Sequence, residues 1–235
     1  RLILIRTMNS KKIIVALDSN DINKIKKIAN LIKKEVYAFK IGYEFFFNFG
    51  IDGYNQIKKI KPKIFLDLKL HDIPNTVKQG IKAIEKLRPT FTSIHISGGD
   101  EMLKSSVINR RNTKILGVSI LTSLNKDQVN KYYNEDDIDK VVKKFVRYAK
   151  NYNLNGVVCS PKEIKYVRKE VGRDFIIVTP GIRPETYKST FDDQKRTLTP
   201  KKAIDLGADF LVIGRPITES KHPLEVVKKI NQSLN

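Results

Sequence analysis

Residues 64–87 read IFLDLKLHDIPNTVKQGIKAIEKL. The aliphatic run Ile64–Leu68 has the length of a buried strand, and beyond it Ile81, Ile84 and Leu87 recur at the spacing of one helix face. Asp67 stands near the end of that run, and Lys69, His71 and Asp72 follow it, so the charges fall at the carboxyl end of the strand. The same unit repeats in both directions. Strand-sized runs at Ile13–Leu17, Val36–Ile41, Phe91–Ile96, Ile115–Ile120, Gly156–Val158, Phe175–Val178 and Phe210–Ile213 bring the total to eight. Amphipathic stretches separate them, for example Ile22, Ile25, Ile28 and Ile32, or Val141, Val142, Phe145 and Ala149. Ser19 or Asn20 is the expected cap of the first helix; Ser160 with Pro161 opens the sixth, and Thr199 with Pro200 the seventh. Strand–helix repetition implies parallel strands joined by crossovers, either in a closed barrel or in an open doubly wound sheet. Eight strands, with no Gly-rich dinucleotide loop after the first, select the barrel: an α/β chain folding as a single-domain (β/α)8 TIM barrel. Residues 11–235 are assigned to the barrel and residues 1–10 to an N-terminal extension, in which Met8 is a candidate start and Arg1–Thr7 lies upstream of it.

The chain has 235 residues and a net charge of +20, from 45 Lys and Arg against 25 Asp and Glu. A charge of that size raises nucleic acid or an anionic membrane as partners. The detail argues otherwise: Lys (34) far outnumbers Arg (11), and lysines are spread over nearly all the expected helices, as at Lys33-Lys34, Lys58-Lys59, Lys143-Lys144, Lys201-Lys202 and Lys228-Lys229. With Ile and Asn they make up 81 residues, which is a compositional bias rather than a basic stripe interleaved with aromatics. No nucleic-acid role is expected. Apolar runs are strand-sized, short of the roughly 20 residues that span a bilayer, so no membrane role is expected either. The single cysteine, Cys159, has no partner for an intramolecular disulfide, and no Cys/His pair has zinc spacing; a reducing, cytoplasmic setting and no metal follow.

In a (β/α)8 barrel the active site gathers at the carboxyl ends of the strands. The polar residues there are Asp18 after strand one, Lys40 ending strand two, Asp67 and Lys69 on strand three with Asp72 just beyond, Thr122 and Ser123 after strand five, Gly181 and Arg183 after strand seven, and Gly214 and Arg215 after strand eight. Strand alternation puts Asp67 and Lys69 on one face and Leu68 and Leu70 on the other. If the leucines pack outward, the charges project into the barrel mouth, where Lys40 and Asp72 are expected to join them. A lysine flanked by carboxylates is held as the ammonium and suits a proton donor, not a Schiff-base nucleophile. His71 and His95 are read as hydrogen-bonded supports. TPGIR (179–183) and IGRPIT (213–218) combine backbone-exposing glycines with an arginine fork, the chemistry of a phosphate site.

These residues resemble the short bacterial form of orotidine 5′-phosphate decarboxylase. The resemblance runs from about Lys11 to near the C-terminus and rests on VALD (15–18), KIG (40–42), DLKLHDIPNTV (67–77), LTS (121–123), TPGIRP (179–184), DDQKRTLTP (192–200) and VIGRPIT (212–218). It implies a cofactor-free, homodimeric carboxy-lyase that converts orotidine 5′-phosphate to UMP, the last step of de novo UMP synthesis. On that resemblance Asp18 binds the ribose, Lys40 contacts the ribose and the charged network, Asp67 faces the substrate carboxylate, and Lys69 protonates C6. Asp72 enters the site of the other subunit with Ile73 and Thr76 beside it. Thr122 and Ser123 meet the pyrimidine edge, and Gln194, Gly214 and Arg215 hold the phosphate, with Arg183 at the start of the loop that closes over it. The stretch from Pro184 to Asp193 is slightly longer than the family pattern, so the placement of Gln194 rests on the DQKR and TP that surround and follow it. Two alternatives stand beside this reading. One is a Mg-dependent sugar-phosphate decarboxylase or aldolase of the same superfamily, which shares the D-x-K-x-x-D core but not the continuation Ile73-Pro74-Asn75-Thr76 or the neutral Gly42-Tyr43. The other is a nucleic-acid-binding protein.

Overall fold

The computed structural model of the chain describes residues 11–185, 187 and 197–234. The assigned extension at residues 1–10 lies outside them. Eight strands, β1 (Ile13–Ala16), β2 (Ala38–Ile41), β3 (Ile64–Leu70), β4 (Phe91–His95), β5 (Lys114–Val118), β6 (Gly156–Val158), β7 (Ile176–Thr179) and β8 (Phe210–Ile213), pair in parallel and in chain order. β8 closes the barrel on β1 through Ile13 opposite Leu211 and Val15 opposite Ile213. The helices are α1 (Ile22–Ile32), α2 (Tyr43–Ile60), α3 (Pro74–Leu87), α4 (Asp100–Ile108), α5 (Lys126–Tyr133), α6 (Ile138–Asn151), α7 (Ile164–Val171), α8 (Pro200–Asp205), α9 (Arg215–Thr218) and α10 (Pro223–Ser233).

The strands read as unbroken apolar runs because both of their faces are covered. On β1, Ile14 and Ala16 point inward with Ala38, Phe65, Phe91, Leu116, Val178 and Val212. Ile13 and Val15, of opposite parity, pack outward against α1, α2 and α10 through Ile25, Tyr54 and Val227. An aromatic plug fills the amino end of the barrel, where the Tyr37 and Phe210 rings lie 4.2 Å apart and both pack on Phe91. Among the described residues no helix is long and apolar enough to cross a membrane.

Local sequence explains most helix starts, with two corrections. Asp21, not Ser19 or Asn20, caps α1: its Oδ1 accepts from the amides of Asn23 and Lys24, each at 3.0 Å. Ser19 instead accepts from the Asp21 amide and shapes the turn, because a carboxylate answers two helix amides better than a hydroxyl answers one. Ser160 and Glu163 form a reciprocal capping box at the turn that leads into α7. Thr199 stands at the cap position of α8 but its side chain makes no capping hydrogen bond; Pro200 at the first helical position marks the start. The run at 115–120 leaves the ladder after Val118, and β3 runs two residues further than its aliphatic stretch, to Leu70.

Arg168 fastens the closing strands at the amino end. Its guanidinium donates to the carbonyls of Gly172, Phe175 and Gly207 and to Asp209 Oδ2 at 2.6 Å, and the same oxygen accepts from the Ile177 amide at 2.8 Å. Gly207 sits at φ +113°, and a Cβ there would lie 3.0 Å from the arginine stem. Removal of one member leaves several half-buried acceptors unanswered. Arg168→Ala should cost about 2–4 kcal/mol, seen as a melting temperature lower by roughly 5–10 °C. Arg168→Lys should recover little, since an ammonium cannot reach the same set of carbonyls.

Candidate active site

The open end of the barrel holds a cavity of about 590 Å³ whose walls include Asp18, Lys40, Asp67, Lys69, Thr122, Gly181, Arg183, Gly214 and Arg215. Six different segments therefore bring the residues singled out from the sequence to one place. At its floor stands a charged chain. Lys69 Nζ lies 2.8 Å from Asp67 Oδ2, Lys40 Nζ 3.6 Å from the same oxygen, and Lys40 Nζ 3.3 Å from Asp18 Oδ1. Asp67 is only 6% exposed.

Burial on its own would raise the pKa of Asp67, but the ammoniums of Lys40 and Lys69, with hydrogen bonds from Lys69 and Ser93, outweigh it and hold the carboxyl below its usual value. For Lys40 burial works downward, and Asp67 and Asp18 overcome it to leave the amine above its usual value. Both groups are thus charged across the neutral range. Gly42 leaves room for this closeness: a Cβ there would fall 2.8 Å from Asp18 Oδ1 and 2.9 Å from Lys40 Nζ, so the ends of those two side chains would have to shift.

The simple alternation expected along β3 breaks at this point. Leu66 is opposite Thr92 and Leu70 opposite Ile94, so β3 advances four residues while β4 advances two, and Asp67, Leu68 and Lys69 form a bulge. Lys69 takes φ +44°, uncommon for a residue with a side chain. Its amide donates to Ser93 Oγ at 3.0 Å, and Ser93 donates onward to Asp67 Oδ1 at 2.7 Å. Tyr43 Oη donates to the Leu68 carbonyl at 2.9 Å, and the Lys69 ammonium lies 5.8 Å from the Tyr43 ring centroid. Asp67 and Lys69 do end in the mouth, as expected, but by a bulge and not by a regular pleat.

Sequence reading missed Ser93 and Tyr43. Ser93 shares parity with the inward-facing Phe91, so alternation along FTSIH was the available signal. Tyr43 carried none beyond following the KIG segment.

Asp72 departs from expectation within one chain. It is exposed, makes no ion pair among the described residues, and accepts from the Ile73 amide at 2.6 Å. With Thr76, His71 and His95 it lines a neighbouring cavity of about 510 Å³ that shares Lys69 with the first. The reason is geometric: β3 ends at Leu70, and Asp72 lies beyond it in the short turn that leads into α3 at Pro74. Ile73 is 68% exposed at the start of α3, and Ser123 is exposed one residue beyond Thr122. Ile182 pairs with Leu198, and the Arg183 amide donates to the Leu198 carbonyl at 3.0 Å, which ties together the two ends of the loop after β7. Gln194, in that loop, lies outside the described residues.

Fold and site together define a (β/α)8-barrel enzyme with alternating cations and carboxylates at its mouth. Residues 11–230 match the model of the orotidine 5′-phosphate decarboxylase / HUMPS family. An orotidine 5′-phosphate decarboxylase of Wolbachia pipientis is 44% identical over 224 residues, covering 94% of this chain and 98% of its own, and that of Ehrlichia canis is 40% identical over 225 residues, covering 95% and 97%. The crystal structure of orotidine 5′-phosphate decarboxylase from Lactobacillus acidophilus superposes with a TM-score of 0.82 at 37% identity, covering 96% of this chain and all of that one. The chain belongs to the orotidine 5′-phosphate decarboxylase / HUMPS family.

His95 offers a pH test of this neighbourhood. Its ring lies 5.2 Å from that of His71, and burial, then His71 and Lys69, push its pKa down to about 4 against the opposing pull of Asp67. A folded pKa below the unfolded 6.5 means that the unfolded chain binds the extra proton first, so stability is complete above pH 6.5 and is lost as pH falls toward 4. Denaturant titrations between pH 7 and pH 4 should show this loss, and His95→Gln should flatten it by about 1–2 kcal/mol after allowance for partial exposure.

Proposed function

We propose that this carboxy-lyase decarboxylates orotidine 5′-phosphate to UMP, with Lys69 as the proton donor to C6. The observation that carries the assignment of roles is the Lys40–Asp67–Lys69 chain at the floor of the mouth: a buried carboxylate that keeps its charge beside an ammonium open to the cavity. As the bond from C6 to the carboxyl carbon breaks, CO2 departs and the electron pair stays on C6. The Lys69 ammonium stabilises that pair and then gives it a proton, and solvent returns a proton to the amine. Asp67 faces the departing carboxylate. Two like charges about 4 Å apart at an effective dielectric of about 20 repel by about 4 kcal/mol, an upper limit of about three decades in rate. Asp18 and Lys40 hold the ribose and Thr122, with Ser123 beside it, meets the base. Gly214 and Arg215 take the phosphate with Gln194 and Arg183, and this remote binding supplies energy for closing the site.

The active form is a homodimer on this reading. Tyr43 and Phe47, four residues apart on the first segment of α2, are 48% and 77% exposed, and Ile51, 53% exposed, follows the break in the helix at Gly50 (φ +55°); Ile73, beside Asp72 of the second cavity, is exposed as well. A second copy covering these residues would carry the partner's Asp72, with Ile73 and Thr76 near it, toward Lys69. The single free thiol, Cys159, is buried, in keeping with a cytoplasmic setting. No metal or other cofactor enters the scheme.

Three measurements test it. The ultraviolet absorbance of orotidine 5′-phosphate should change with wild type and by less than a thousandth of that rate with Lys69→Ala. Wild-type activity should persist in EDTA; loss with return on adding Mg2+ would favour the sugar-phosphate branch of the family. Mixing Asp72→Asn with Lys69→Ala, each nearly inactive alone, should restore one working site per heterodimer, and absence of recovery would place Asp72 in the site of its own subunit.

A further inference from the structure

Ser93 lies in the middle of β4, fully buried, and is absent from the walls of both cavities at the barrel mouth. It therefore has no route to the substrate. Yet its hydroxyl is engaged twice, and both partners belong to the reacting pair: it accepts from the Lys69 amide and donates to Asp67 Oδ1. The two bonds span the bulge, where the register passes from Leu66–Thr92 to Leu70–Ile94 and leaves the three intervening residues of β3 without partners on β4. The backbone at Lys69 is in the left-handed region, a conformation that persists in a residue with a side chain only where its surroundings hold it. The Ser93 hydroxyl is the group on the facing strand that does so. The preceding residue, Thr92, provides a contrast. It is equally buried, but its hydroxyl donates to the Leu66 carbonyl and touches neither charge.

We infer that Ser93 is a positioning residue for the decarboxylation: its hydroxyl locks the bulge of β3 so that the Asp67 carboxylate and the Lys69 ammonium are presented to the substrate at a fixed separation. This rests on the assignment of Asp67 and Lys69 above. Without the hydroxyl the Lys69 amide loses its acceptor, Asp67 loses the donor to Oδ1, and the lysine is free to leave the geometry in which its proton reaches C6.

The experiment compares Ser93→Ala, Ser93→Thr, Thr92→Val and Lys69→Ala by steady-state kinetics across pH and by thermal melting. Ser93→Ala should lower kcat about ten- to hundredfold, the range expected for a lost hydrogen bond to a charged group, with KM within about threefold of wild type. The acid limb of its rate profile should move to higher pH, because a carboxylate with one donor fewer is protonated more easily. Ser93→Thr, which keeps the hydroxyl, should recover most of the rate, and Thr92→Val should melt lower while keeping its kcat and its pH profile. Wild-type kcat and acid limb in Ser93→Ala would overturn the inference. So would a loss in Ser93→Ala that matches Thr92→Val in melting temperature and is not restored by threonine. If Lys69→Ala retains activity the site assignment itself fails; if Lys69→Ala is dead and Ser93→Ala is fully active, only the positioning role fails.

Discussion

A carboxylate as deeply buried as Asp67 keeps its charge only if both of its oxygens are answered, and the top of the barrel is arranged around that requirement. Oδ2 faces two ammoniums, Lys69 at 2.8 Å and Lys40 at 3.6 Å, and Oδ1 takes the Ser93 hydroxyl at 2.7 Å. Each partner constrains another part of the molecule. Lys40 reaches Asp67 from β2, with Gly42 leaving room beside its ammonium, and it also pairs with Asp18 from the end of β1. Lys69 reaches back to Asp67 from two residues further on by means of a bulge and a left-handed backbone. Removing any one of these groups would strand a charge in a low-dielectric setting, which costs more than the pair contributes when intact.

The strain at the bulge is supported elsewhere. The amino end of the barrel carries an aromatic plug and Arg168 bound to three carbonyls and a carboxylate, and outer layers of aliphatic residues from every helix surround the strands along their length. The carboxyl end holds paired charges, an uncommon φ and open cavities. This division matches a barrel in which stability and chemistry occupy opposite ends. It also gives the charge of +20 a modest place: of 45 basic residues, Lys40, Lys69, Arg183 and Arg215 line the active-site mouth with Lys24, and many of the others are exposed on helix exteriors.

Much of the fold was legible because apolar periodicity reports burial directly. All eight strand runs became strands, with ends shifted by one or two residues where the chain leaves the ladder while still buried, as at Ser119 and Ile120. The candidate site was legible to the extent that strand ends in a barrel converge. Asp18, Lys40, Asp67, Lys69, Thr122, Gly214 and Arg215 line one cavity although they lie far apart in the chain. Asp72 was not placed correctly by proximity alone. It stands five positions after Asp67, but the end of β3 at Leu70 intervenes, and direction mattered more than distance along the chain.

The chain's own chemistry determined that alternating strands and helices would close on themselves, that a lysine and an aspartate would sit together at the end of the third strand, and that an anionic ligand suited the loops after the last two. These follow from residue type and spacing, which act locally. The tertiary structure alone decided that β3 bulges, that Lys69 adopts a left-handed backbone, and that a serine hidden in an apolar run on the neighbouring strand bridges the two charges. Those features depend on the register between β3 and β4, and register is set by the packing of the whole barrel, which no single segment encodes.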